Sequence, residues 1–138
     1  MEKIAQLLDE VRALLTAIRD LLDPNVNAVN VYRSLDVQAT PAQIAPQACQ
    51  VDGYYILNVA ASTRYVKFYD VAQPIAAGTG IPKITLGIPA GAAANLSLPL
   101  KSALEFKTGL AIAATTGIAD NSTAAPTAND VVANIFYR

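Results

Sequence analysis

The sequence predicts a mainly β protein: an antiparallel β-sandwich, jelly-roll-like, behind an N-terminal α-helix that forms coiled coils. Three observations carry that expectation. Apolar residues repeat every seven positions near the N-terminus, with Ile4, Val11 and Ile18 at one phase and Leu7, Leu14 and Leu21 three places later. Beyond that segment the period changes from helical to alternating, in short runs separated by Gly, Pro and Asn. No helical pattern lies between those runs, so parallel βαβ units are not expected.

Residues 2–22 contain no glycine or proline, and strong helix formers dominate them. Asp23-Pro24 ends the helix, because the residue before proline is pushed out of the α region. Asp9 and Arg12 are spaced to pair on the outer face. Asp20 and Asp23 sit unfavourably near the negative end of the helix dipole, offset in part by Arg19. Ile4, Val11 and Ile18 take the a positions of a heptad, and Leu7, Leu14 and Leu21 take the d positions. β-branched a with leucine d leans toward dimers. Leu8, Leu15 and Leu22 add a third apolar row at e, where a two-stranded coil carries charges, and the stripe widens accordingly. So short a helix is marginal alone in water. These nine residues are therefore the candidate oligomerisation surface. A homotrimer is the first expectation and a pentamer its rival. Two other outcomes are that the leucine row packs on the chain's own β domain, or that it grips another protein.

Three regions follow: an oligomerisation helix at 1–23, a linker and first strand at 24–50, and a β-sandwich domain at 51–138. The first strand is expected around 29–37. Residues 40–47, with Pro41 and Pro46, read as irregular. Further strands are expected at 54–60, 64–71, 81–88, 94–98, 104–106 and 109–114. Within 64–71, Tyr65, Lys67 and Tyr69 alternate with Val66 and Phe68. Ala61-Ser62-Thr63 and Pro89-Ala90-Gly91 mark turns. Residues 115–128 form a long Thr/Ala/Asn/Ser loop. A last strand at 130–137 reaches almost to Arg138 and is expected inside a sheet.

Composition narrows the function. Of 138 residues, 53% are hydrophobic and only 15% charged, and mean hydropathy is +0.32. An average soluble domain has roughly 25% charged residues. Subunit interfaces would account for the difference. Net charge is −1 and no basic stripe exists, so neither nucleic acid nor an anionic membrane is an expected partner. Cys49 is the single cysteine and reads as a buried, inert thiol. There is no histidine, so a general base would have to be a carboxylate or lysine. The carboxylates Asp36, Asp52, Asp70, Glu105, Asp120 and Asp130 show no spacing that selects a catalytic pair. Asp52 precedes Gly53 and reads as a turn residue, while Asp36 and Asp70 read as solvated strand ends. Asp120-Asn121-Ser122-Thr123 and Asn129-Asp130 have oxygens that could ligate calcium, but they read first as turn formers. Gly78-Thr79-Gly80 is too short for a phosphate loop. Tyr54, Tyr55, Tyr65, Tyr69 and Tyr137 suit a sugar-binding face, and they suit core and interface packing better. No enzyme activity, metal or cofactor is expected. Charges interrupt the N-terminal leucines, so neither a signal peptide nor a membrane span is expected, and synthesis in a cytoplasm without export follows.

Two stretches near the C-terminus carry a resemblance. They are Phe106-Lys-Thr-Gly-Leu-Ala-Ile-Ala-Ala-Thr-Thr-Gly-Ile-Ala-Asp120 and Ala128-Asn-Asp-Val-Val-Ala-Asn-Ile-Phe-Tyr-Arg138. With Tyr65-Val-Lys-Phe-Tyr69 and Ile84-Thr-Leu-Gly-Ile-Pro-Ala90, the region 54–138 resembles small β-sandwich virion proteins of tailed bacteriophages. The resemblance implies a head decoration, head fibre or tail-associated protein located on the virion, with capsid or tail proteins as partners. It implies no active site. A receptor- or glycan-binding module that meets host-surface glycan, and a non-viral oligomeric scaffold, are the alternatives. Loops 72–80 and 115–128 are expected to face solvent or a host surface.

Overall fold

The structure is a computed structural model that describes residues 1–23, 28–99 and 102–138. Helix α1 spans Glu2–Leu22, as the heptad pattern predicts. The strands among the described residues are β1 Asn30–Ser34, β2 Ala42–Ala45, β3 Cys49–Asn58, β4 Arg64–Tyr69, β5 Ile84–Ile88, β6 Ala93–Ser97, β7 Leu104–Phe106, β8 Leu110–Thr115 and β9 Val131–Tyr137. They form two antiparallel sheets. The first has the order β1-β9-β3-β6, with β7 also pairing β3; the second has the order β2-β8-β4-β5. The protein is thus mainly β with one N-terminal helix, an arrangement consistent with a β-sandwich.

Strand alternation builds the core. In β9, Val131, Ala133 and Ile135 are fully buried, while Val132, Asn134 and Phe136 point to the other face and are half-buried. Ile56 and Val51 of β3 join them, opposite Val66, Phe68, Ile112 and Ala114 of the second sheet. Tyr54 and Phe68 stack across the two sheets with ring centroids 5.7 Å apart, and Phe106 extends the aromatic row at 6.4 Å. The C-terminal strand lies between β1 and β3, as expected for a strand that ends the chain inside a sheet.

Four details differ from the sequence reading. Residues 42–45, expected to be irregular, form the edge strand β2 of the second sheet. Edge strands tolerate flanking prolines because one side needs no ladder. The Gln43 side-chain amide also ties that edge down, donating to the carbonyls of Ala45, Val71 and Leu110 at 2.6, 2.9 and 3.1 Å. β3 starts at Cys49, earlier than the expected 54, so the boundary drawn at 50/51 falls inside a strand. Both β1 and β2 belong to the two sheets, so the described part of 24–50 is more than a linker and one strand; residues 24–27 of that region lie outside the described residues. Asp52-Gly53 is not a turn but a β-bulge. Val51 aligns with Tyr137 and Gly53 with Phe136, leaving Asp52 as the extra residue. Its carboxylate accepts two hydrogen bonds from the Arg138 guanidinium, each at 2.9 Å. Glycine is required next to it because a Cβ would strike the Leu96 carbonyl of β6.

The second sheet is covered on its outer face by the chain's own loops. β8 is buried on both faces. Its outward Ala111 and Ala113 pack with Tyr69 under Val71 and Ile75. Lys67 is fully buried there, and its ammonium donates to the Ala119 carbonyl of the long loop. Gly78, at φ +72, lies against Asn121 and Thr123. The loops expected to face solvent therefore do so on one side only. Their other side seals this sheet, with small alanines making room.

Two polar clusters fix loops to strands. Arg64 grips Asp130 at 2.7 Å with both side chains largely shielded. Asp70, expected to be a solvated strand end, accepts hydrogen bonds from the backbone N–H groups of Thr108, Lys107 and Gly109 and from the Thr108 hydroxyl. Burial opposes its charge, but those donors outweigh burial and hold its carboxyl well below the usual carboxylate range. A depressed folded-state pKa gives stability that is complete above the ordinary carboxylate value and is lost as pH falls through the folded one. Asp70→Asn should cost about 1.5–3 kcal/mol at neutral pH, the usual worth of hydrogen bonds to a charged group. It should also flatten the fall in melting temperature on acidification below roughly pH 4, as read by thermal melts from pH 7 to pH 2. Gly53→Ala should destabilise by about 1–3 kcal/mol, the range for forced overpacking, measured by chemical denaturation.

Candidate assembly surface

The nine residues singled out from the heptad all lie on α1. No residue of the helix is buried. The nine side chains are between 43% (Ile18) and 77% (Leu22) exposed. Positions a, d and e fall within an arc of about 100° of the helix circumference, the width of a stripe that faces a core. Every charged residue of the helix occupies the remaining positions. There Arg12 and Asp9 approach at 3.9 Å, and the Gln6 amide donates to Glu10 at 3.3 Å. These exposed contacts contribute little. The N-terminus has no side-chain cap, though Glu2 suits the positive end of the dipole and Arg19 the negative end. Asp23 leaves the helix with extended dihedrals, φ −74° and ψ 114°, as a residue before proline must.

The helix thus has no side-chain N-cap and carries an apolar stripe that is exposed on the single chain. Each leucine or isoleucine withdrawn from water contributes roughly 1.5–3 kcal/mol. Several per chain suffice to exceed the roughly 4–15 kcal/mol lost when molecules associate.

A second apolar surface went unnoticed in the sequence. It lies on the outer face of the first sheet. Val31 and Tyr55 are 58% and 41% exposed, and Leu57, Val132 and Phe136 lie half-buried beside them. The register brings them together: Val31 aligns with Phe136, and Leu57 with Val132. The signal was legible in Val131-Val132-Ala133 and Ile135-Phe136-Tyr137, where both phases of the alternation are apolar. A strand with one wet face shows a single apolar phase.

Reactive groups elsewhere are engaged structurally. Cys49 is buried; burial pushes its thiol pKa up, and Asp70 adds to the shift. It borders an open depression with Glu105, Phe106 and Arg138, whose guanidinium is held by Asp52. Burial lowers the Lys67 pKa against the pull of Asp120. Asp130 is tied to Arg64, and Asp36 accepts from the Asn129 backbone N–H at 2.9 Å. Asn129 adopts φ 65°, a turn conformation. Among the described residues no three His, Cys, Asp or Glu side chains are grouped to hold a metal ion. The tyrosines do not share a face: Tyr54 is in the core, Tyr69 lies beneath the loops, and Tyr55 points outward. No described helix is long and apolar enough to cross a membrane.

Comparison with known families finds no family model that matches the chain, and comparison with curated proteins finds no match.

The helix should depend on concentration. On dilution, the far-ultraviolet helix signal at 222 nm should fall while the near-ultraviolet signal of the Tyr54–Phe68 core persists. Circular dichroism across a hundredfold dilution checks this.

Proposed function

We propose that this chain is a structural, self-assembling protein whose N-terminal helices bundle into a coiled-coil stem that carries β-sandwich heads. The observation that carries the reading is the exposed stripe on α1, from Ile4 to Leu22, beside a sandwich whose core is already closed. Three or more helices bury the a, d and e rows together, and a trimer is the first choice.

The sandwich supports a jelly-roll reading. With β7 set aside, the chain pairs first strand with last and works inward: β1 with β9, β2 with β8, β3 with β6, β4 with β5. That nesting suits one long antiparallel ribbon rolled so that its successive pairs fall alternately in the two sheets. Viral capsid domains use this architecture, as do lectins and cupins. The resemblance of residues 54–138 to small virion proteins of tailed phages agrees with it. A surface position on a phage particle, as head decoration, head fibre or tail-associated protein, is the reading these features favour. Fold analogy alone assigns no function; the stem gives this one its mechanism. Several copies joined by a stem make several weak contacts with a capsid or tail at once, and multivalency turns those into firm attachment. The carboxylates and Lys67 serve the scaffold, and no catalytic role is proposed for them.

Purified phage particles from a strain carrying this gene should contain the chain, detected by peptide mass spectrometry. Replacing Leu14 and Ile18 with aspartate buries unpaired charge in any bundle and should cut retention on the particle by about tenfold or more, the scale of lost multivalency. A chain absent from particles overturns the virion assignment. A double variant retained like the wild type overturns the multivalent stem.

A further inference from the structure

We infer that residues 116–125 form a lid that opens from the outer face of the second sheet while the domain stays folded, and that the buried Lys67 ammonium drives the opening. The inference is independent of the reading of α1.

The lid has firm ends and a loosely held body. β8 ends at Thr115 on one side of it, and Pro126 is buried on the other. Beyond Pro126, Asp130 is clamped by Arg64 and accepts the Thr127 backbone N–H at 3.0 Å. Between these ends, Gly117 and Ser122 are half-buried and the other residues are exposed. The segment bonds mainly to itself. Thr116 donates its backbone N–H to the Ala124 carbonyl at 2.9 Å, and Ser122 donates to the Ala119 carbonyl at 3.0 Å. It is seated on the neighbouring loop at Gly78, where a Cβ would come within 2.6 Å of the Thr123 methyl and 2.7 Å of the Asn121 carbonyl. A segment with so few buried apolar contacts opens at lower cost than the whole domain.

The charge lies beneath it. Lys67 stands on the outer face of β4, aligned with Ala113 of β8, and both are 0% accessible. An ammonium carries three donors, and that of Lys67 donates to the Ala119 carbonyl of the lid. That carbonyl keeps a partner in Ser122 when the lysine leaves. Burial outweighs the attraction of Asp120, so the Lys67 pKa lies below the ordinary lysine value. Closing the lid therefore disfavours the charged form, and by linkage the charge favours the open lid. Opening returns the ammonium to water and uncovers the small, flat floor of Ala113. Asp130 and Pro126 keep the far end in place, so the motion is a local one.

Amine acetylation of the full chain with N-hydroxysuccinimidyl acetate at neutral pH reads the lid directly. Lys107, which is exposed, is the reference. Hydrogen exchange of the Ala114 amide, bonded in the core to the Gln38 carbonyl at 2.9 Å, reports opening of the whole domain. The slowing of Lys67 relative to Lys107 should be smaller than the Ala114 protection factor by about tenfold or more, the mark of a local opening. A Lys67 that is as protected as Ala114 is uncovered only by global unfolding, and overturns the lid. The variant Lys67→Met keeps the length of the side chain and removes the charge. Elastase cleavage within 116–125, located by mass spectrometry, follows the open population. It should slow about fivefold or more in the variant, since replacing a buried charge by an apolar side chain of similar volume favours the closed packing. Unchanged cleavage means that the charge drives nothing, and faster cleavage means that Lys67 holds the lid shut. Either result overturns the inference.

Discussion

A stripe of nine apolar side chains on a 21-residue helix, all exposed to water in the single chain, is the constraint on which the proposed assembly depends. Short helices owe their stability to packing rather than to propensity. This one has good formers throughout, no side-chain N-cap, and exposed ion pairs at Asp9–Arg12 and Arg19–Asp20 that contribute little. The β region needs nothing from it: the core of the two sheets closes without any helix residue. In the proposed reading, such a helix beside a self-sufficient domain separates assembly from folding.

The domain is asymmetric in the same sense. One sheet is sealed inside its own chain, at the expense of burying a lysine and crowding alanines beneath two loops. The other leaves valine, leucine and aromatic side chains on its outer face. Polar groups that elsewhere do chemistry here fasten segments together: Arg64 to Asp130, Arg138 to Asp52, and Asp70 to three successive backbone amides. Each joins positions far apart in the sequence, which is how a small two-sheet domain holds long loops in register without disulfides.

Much of this was legible beforehand. The helix ends were fixed by the absence of Gly and Pro inside and by Pro24 outside. β4 and β9 were visible because β-branched and aromatic residues cluster there, and β7 and β8 because turn formers bracket short apolar runs. What escaped notice had local signals that mean two things. Ala42-Gln43-Ile44-Ala45 between two prolines looks like a loop, and becomes a strand because β8 offers a ladder and Gln43 caps three carbonyls. Asp52-Gly53 is the usual turn pair, but a bulge against β6 needs the same glycine. The stripe on α1 was plain in the heptads. The apolar outer face of the first sheet was not, since it is assembled from β1, β3 and β9, and only their register sets Val31 beside Phe136 and Leu57 beside Val132.

Native mass spectrometry of the full chain at low micromolar concentration tests the central claim most directly. A single closed species of three or more chains is the expected result, with five as the alternative stoichiometry. A spectrum of 14.5 kDa monomers alone would contradict it.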